Sequence, residues 1–228
     1  MSIKDNLNYV LEEIEKAKHH SLTNEDVKLI AVTKNHSIDV IKEAINLGVT
    51  DVGENKVQEL TEKINGLGQI VNYHMIGNLQ TNKVKYIYNK VSMIQSLDRI
   101  KLAEEIEKRA STKNIIVDCL IQINIGSESQ KGGIEYDKTL QFIYNLLDFK
   151  HISIRGLMAI APNTEDKKYL RSLFRKMFEM KERIAKENIS SVRIDYLSMG
   201  MSSDYQIAIE EGSNMVRIGT KIFGQRNY

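Results

Sequence analysis

Two stretches of this sequence carry residues of chemical consequence. Lys34 closes the apolar run "KLIAVTK", and near the other end "LSMGMSSDYQIAIEEGSNMVRIGT" (197–220) places Ser198, Gly200, Gly219 and Thr220 beside two apolar runs. Small residues at strand ends leave backbone N–H groups that a phosphate can approach. A lysine just past an apolar strand is either a solvated edge charge or, once desolvated, a neutral amine able to attack a carbonyl. If both features share one rim, they would hold an aldehyde-bearing phosphate ester at its two ends. Arg217, at the end of the last apolar run, could pair with phosphate, meet a pyridine nitrogen or form a rim salt bridge. Asn55 in "GENKVQE" either caps a helix or hydrogen-bonds a ligand ring oxygen. Met199 and Met201 flank Gly200 and either wall an aromatic ring or fill core space.

The other polar candidates have plainer readings. His74 is expected in the core or in a polar network. No second histidine stands at metal-ligand spacing, so no metal site is expected. His19 and His20 sit together on a surface helix. "KVKYIYNK" (83–90) mixes basic and aromatic residues as an amphipathic helix would. Cys119, the single cysteine, lies among Ile116, Val117, Leu120 and Ile121, as a buried strand thiol would, and it excludes an internal disulfide.

The elements that must position these residues alternate. Strand runs are expected at 27–33, 51–53, 69–75, 90–96, 114–123, 152–158, 191–197 and 214–218. Helical runs are expected at 37–47, 55–65, 78–88, 98–110, 135–147, 165–187 and 203–211, with Ser37, Asn78, Asp98 and Ser203 as N-caps. An extra amphipathic helix opens the chain on Leu7, Val10, Leu11, Ile14 and Ala17. Repeated strand–helix units imply a parallel sheet. A doubly wound dinucleotide fold would put its glycine-rich turn after the first strand, but "TKNHS" there has no glycine. The small-residue turns follow the last two strands instead, where (β/α)8 barrels often bind phosphate. We therefore expect an α/β fold, a single (β/α)8 TIM barrel over residues 1–228.

Composition narrows the function classes. Thirty-two Lys and Arg against thirty Asp and Glu leave a net charge of +2, which gives no electrostatic footprint for nucleic acid or an anionic membrane. The N-terminal stretch has no apolar core or cleavage pattern of a signal peptide, and no apolar run is long enough to span a bilayer. A cytoplasmic protein is expected. "NIGSESQKGG" (124–133) reads as a polar connection or a lid on the same rim as the phosphate turns.

The motifs "VTK" at 32–34, "GENKVQE" at 53–59, "HMIGNLQTNK" at 74–83, "SLDR" at 96–99, "QINIGSESQKGG" at 122–133, "GLMAI" at 156–160 and the run 197–226 resemble the YggS/PROSC family. These are pyridoxal 5′-phosphate (PLP)-binding proteins, also called PLP homeostasis proteins. The resemblance implies the barrel of alanine racemase N-terminal domains and a lysine aldimine at Lys34. It implies Asn55 at the ring, Ile76 and Gly77 beside the cofactor, and Ser198, Gly219 and Thr220 at the phosphate. It also implies Arg217 at the pyridine nitrogen, and it matches Lys131 to a loop lysine without a defined role. The sequence departs from the family in having Tyr73 where Trp is frequent, and in lacking a proline soon after Lys34. The implied function is PLP homeostasis in a monomer without efficient catalysis, with PLP and PLP-dependent apoenzymes as partners. The alternative is a PLP-dependent amino-acid racemase. Two features weigh against it. An arginine partner keeps the pyridine nitrogen largely unprotonated and the ring a weaker electron sink. The tyrosine base that alanine racemases take from a further C-terminal domain has no counterpart in a chain ending four residues after Gly224.

Overall fold

The alternating runs fold into a closed barrel of parallel strands. The structure is a computed structural model that describes residues 2–126 and 132–224. The strands are β1 (Lys28–Val32), β2 (Asp51–Glu54), β3 (Asn72–Met75), β4 (Met93–Leu97), β5 (Val117–Asn124), β6 (Ile134–Glu135), β7 (Ile152–Ala159), β8 (Val192–Ser198) and β9 (Met215–Ile218). The sheet runs β4-β3-β2-β1-β9-β8-β7-β5 and closes by pairing β4 with β5, while the two-residue β6 attaches to β5. The pairings are parallel throughout, as in β1 with β9 (Ile30 opposite Arg217) and β2 with β3 (Gly53 opposite His74). This is the expected eight-stranded (β/α) barrel, and among the described residues β6 is the one strand the sequence pattern did not suggest.

Side-chain alternation divides the core in two. Ile30, Met93, Leu120, Met158 and Met215 cluster by themselves. Their strand neighbours Ile94, Cys119, Ile121, Leu157 and Val216 belong instead to the large cluster shared with the helices. The first set fills the barrel interior and the second lies under the surrounding helices. Burial on both faces explains why these strands read as nearly continuous apolar runs.

The helices are α1 (Ile3–Lys18), α2 (Ile38–Asn46), α3 (Val57–Leu67), α4 (Ile100–Ser111), α5 (Thr139–Leu146), α6 (Lys167–Lys186), α7 (Tyr205–Glu210) and α8 (Thr220–Phe223). The extra N-terminal helix α1 starts on a Ser2–Asp5 capping box and buries Leu7, Val10, Ile14 and Ala17. Leu11, expected on the same face, is exposed. Asn6 Nδ2 donates to the Ile222 carbonyl at 3.0 Å, tying α1 to α8.

Three of the four expected N-caps do not cap a helix. The segment 78–88 forms only a 3-10 turn, Thr81–Tyr86, with no side-chain cap from Asn78. Asp98 is engaged by Arg99, whose guanidinium also donates to the Leu79 carbonyl at 2.6 Å, and α4 begins without a side-chain cap. Asp204, not Ser203, precedes α7, and its carboxylate accepts the Met201 N–H at 2.6 Å. Among the described residues, no helix is long and apolar enough to cross a membrane.

Candidate functional site

Parallel closure brings the ends of β1, β2, β3 and β9 to one rim. There a cavity of about 280 Å³ is lined by Lys34, Asn55, Ile76, Gly77 and Arg217, with Gln122 and Asn124 from β5. Lys34 follows β1 and is half-buried, Asn55 is exposed, and Ile76 is buried. Gly77 is needed where it stands, because a Cβ there would lie 2.3 Å from the Asn55 carbonyl oxygen and 2.7 Å from its Cα. Two of the expected site positions therefore meet through a backbone approach that only glycine permits. A larger hollow of about 430 Å³ lies at the opposite mouth, between α1 and the strand starts, and includes Lys28 and Asp51. None of the expected site residues reaches it.

The two small-residue turns stand side by side. Arg217 N–H donates to the Gly200 carbonyl at 3.0 Å, and Lys221 N–H reaches the Ser202 hydroxyl at 3.4 Å. Gly200 has φ +94°, and a Cβ on it would lie 2.7 Å from Ala208 Cβ, so α7 packs directly on this turn. Thr220 is exposed at the start of α8, directly after Gly219. Neither residue lines the cavity itself; they stand on the same rim after β9.

Arg217 is 3% exposed, and its guanidinium is fixed on two sides. One NH group donates to the Ala159 carbonyl at 2.8 Å and the other to Ser198 Oγ at 2.6 Å. Burial lowers its pKa to about 10, with the Asp204 carboxylate opposing the shift. It remains charged at neutral pH.

From Arg217 a hydrogen-bonded chain crosses the barrel. The Ser198 hydroxyl donates to Gln95 Oε1 at 2.7 Å, and Gln95 Nε2 lies 3.1 Å from His74 Nδ1. His74 Nε2 lies 2.9 Å from Asp51 Oδ1. Burial raises the Asp51 carboxyl, but hydrogen bonds from His74 and Thr50 outweigh it and leave the pKa at about 2. An ionised carboxylate only accepts, so His74 donates from Nε2 and receives from Gln95 at Nδ1. Every bond then points one way, from guanidinium to carboxylate. His74 is the network histidine its sequence context suggested, and Ser198 places its hydroxyl inside the barrel, between Gln95 and Arg217.

Sequence reading missed Gln95, Asp204 and the charged cluster of Glu54, Glu59 and Lys63 behind Lys34. The available signal was their polarity within otherwise apolar strands and helix faces. Cys119 is a free buried thiol whose pKa burial pushes up, so it is held as an inert neutral group. Among the described residues, no group of three or more His, Cys, Asp or Glu could hold a metal ion. Lys131 and most of the "GSESQK" connection lie outside the described residues.

Comparison with known proteins gives this rim a context. The family described as alanine racemase, N-terminal domain, matches residues 6–227. A pyridoxal phosphate homeostasis protein of Aquifex aeolicus is 42% identical over 230 residues, covering 100% of both chains. The protein of the same name from Haemophilus influenzae is 40% identical, covering 100% of this chain and 98% of its own. This chain belongs to the pyridoxal phosphate homeostasis protein family. Among solved structures, PipY of Synechococcus elongatus PCC7942, solved with PLP bound, is 29% identical with a TM-score of 0.85, covering 98% of this chain and 100% of PipY. An alanine racemase of Clostridium difficile 630 has a TM-score of 0.74 at 19% identity, with 98% of this chain covering 57% of the racemase. That likeness extends to the barrel fold alone.

Proposed function

We propose that this chain binds PLP covalently through Lys34 and serves PLP homeostasis, without efficient catalysis of its own. The observation that carries the reading is the placement of a half-buried lysine and a fixed, buried arginine on one small cavity at the C-terminal rim. The donor set suits PLP. Lys34 supplies an amine for the aldehyde, Arg217 a permanently charged donor for the pyridine nitrogen, and the paired turns at Gly219–Thr220 and after Ser198 supply backbone N–H groups for the phosphate. Asn55, Ile76 and Gly77 form the wall on the β2 and β3 side. A cavity of this size is near the small end of ligand sites, which run from roughly 300 Å³ upward. The names of the family relatives and PLP in the PipY structure support the same cofactor.

When bound, PLP supplies an aldehyde that condenses with an amine, with loss of water, and a ring able to accept electron density. The chain's own residues favour holding over processing. Arg217 keeps its proton at neutral pH, and its carbonyl and hydroxyl partners hold it in place, so it donates toward the ring nitrogen without protonating it. That makes the ring a weak electron sink. The free, buried Cys119 fits a reducing compartment such as the cytoplasm, and from the family resemblance we extend the proposal to a monomer with PLP-dependent apoenzymes as recipients.

The test is borohydride reduction of the PLP-loaded protein followed by peptide mapping. A pyridoxyl group is expected on Lys34 and is lost in Lys34→Ala with the fold retained. A fully loaded wild type labelled elsewhere, with Lys34 unmodified, overturns the assignment.

A further inference from the structure

Behind Lys34 lies a charged cluster that the site description leaves without a task. Lys63, on α3, has a side chain only 7% exposed and forms a buried ion pair with Glu54 at the end of β2. The same ammonium donates to the Thr33 carbonyl at 2.7 Å. The Thr33 hydroxyl donates to Glu54 Oε1 at 2.5 Å. On the other side of Lys34, Asn35 has φ +64° and donates its N–H to Glu59 Oε2 at 3.0 Å. Glu59 also faces Lys63 at 3.9 Å and Lys56 at 3.6 Å. The residues on both sides of Lys34 are therefore tied to charged side chains. One of these, Glu54, immediately precedes Asn55 in the cavity wall.

This is a poor arrangement for stability alone. Glu54 is fully buried and its Oε2 has no hydrogen-bond partner among the described residues. A buried pair with an unsatisfied oxygen offsets little of its desolvation cost, and an apolar pair of similar volume is often as stable. What the cluster does achieve is geometric. A lysine side chain is long and flexible, so the direction from which its amine enters the cavity depends on how firmly its backbone is held.

We propose that Lys63, with Glu54 and Glu59, is a positioning device that fixes the Thr33–Asn35 backbone so that Lys34 points its amine into the cavity. The inference rests on the reading of Lys34 as the covalent site. Lys63 and Glu59 act through the backbone and touch no ligand.

The test uses the full chain and pyridoxal, which lacks the phosphate and so isolates the lysine end. Lys63→Met alone strands a buried carboxylate, so the primary variant is the neutral double substitution Glu54→Gln/Lys63→Met. Glu59→Ala, at a half-buried position, is the second. Two readouts apply: amide hydrogen exchange at Lys34 and Asn35 without ligand, and pyridoxal affinity. Losing one backbone hydrogen bond corresponds to about tenfold in a local opening equilibrium. Exchange at Asn35 should quicken about tenfold in Glu59→Ala, and exchange across Lys34–Asn35 at least as much in the double variant. Pyridoxal affinity should fall about tenfold in the double variant, with the urea midpoint near wild type. Wild-type exchange and wild-type pyridoxal affinity in both variants overturn the proposal. If wild type takes neither pyridoxal nor PLP, the cofactor reading fails, and ligand-free exchange still decides whether the cluster fixes this segment.

Discussion

Ser198→Ala separates two roles that a serine on this rim can have. The structure gives its hydroxyl to the interior chain, accepting from Arg217 at 2.6 Å and donating to Gln95 at 2.7 Å. The resemblance gives the same residue to the phosphate. If the interior role holds, alanine removes one neutral hydrogen bond, of about 1 kcal/mol, and one from a charged donor, of about 1.5–3 kcal/mol. It also leaves Gln95 Oε1 and a guanidinium N–H buried without that partner. The expected loss of apo-protein stability is about 2–4 kcal/mol, a large part of the roughly 5–15 kcal/mol a domain commonly has. Urea unfolding of the apo protein measures it. Arg217 would be loosened for any ring that meets it, so PLP and pyridoxal should weaken together and keep their affinity ratio. The reasoning is refuted if apo stability changes by less than about 0.5 kcal/mol while the preference for PLP over pyridoxal collapses about tenfold. The hydroxyl would then belong to the phosphate.

Other outcomes follow from the same geometry. Gly77→Ala puts a methyl group against the Asn55 backbone at 2.3 Å, so the β2 and β3 loops must part; PLP affinity by titration should fall about tenfold, and stability by about 1–3 kcal/mol. Asp51 titrates at about 2 in the fold instead of 3.8, so its contribution is present above pH 4 and lost as pH falls toward 2. Asp51→Asn should therefore cost about 2 kcal/mol in urea unfolding at pH 6, a deficit that shrinks toward zero near pH 2. Thr220→Ala should weaken PLP more than pyridoxal in parallel titrations, since only PLP carries a phosphate for that turn. The loaded protein should show no rapid solvent-deuterium incorporation at Cα across L- and D-amino acids; rapid exchange that Lys34→Ala abolishes would restore the racemase reading.

Much of the fold was legible because its signals are local and repeated. Apolar, β-branched runs such as "KLIAV" and "MVRI" are the strands they resemble, and the Leu7, Val10, Ile14, Ala17 spacing gave α1 its buried face. The failures have local causes too. "TNKVKY" buries only Val84 and has no side-chain cap, and its threonine, asparagine, valine and tyrosine are weak helix formers, so the segment settles as a 3-10 turn. Asp98 looked like a cap until Arg99, its neighbour, proved to hold it. A cap is decided by which partner reaches the carboxylate first, and sequence spacing does not encode that competition.

The site was legible where one residue acts alone at a strand end and obscure where residues act through one another. Lys34, Asn55 and Arg217 could be placed on one rim from strand order, because parallel closure sends every strand's C-terminal end to the same face, whereas Gly77 was picked out only by the family motif. Ser198 was also placed on that rim, yet its side chain turns inward. Strand alternation puts Ser198, Gln95, His74 and Asp51 on the barrel's inner face with Met93 and Met215, and a polar group there must find a polar neighbour or bear the cost of its absence. The chain from Arg217 to Asp51 is the solution that satisfies all of them. It also determines what the arginine can do. A guanidinium held by a carbonyl and a serine, with a carboxylate at the far end of the relay, is oriented by the barrel before any ligand arrives. The ring would then meet a donor whose direction is already set, and the lysine after the neighbouring strand would meet its aldehyde from a backbone that Lys63 and Glu59 have already fixed.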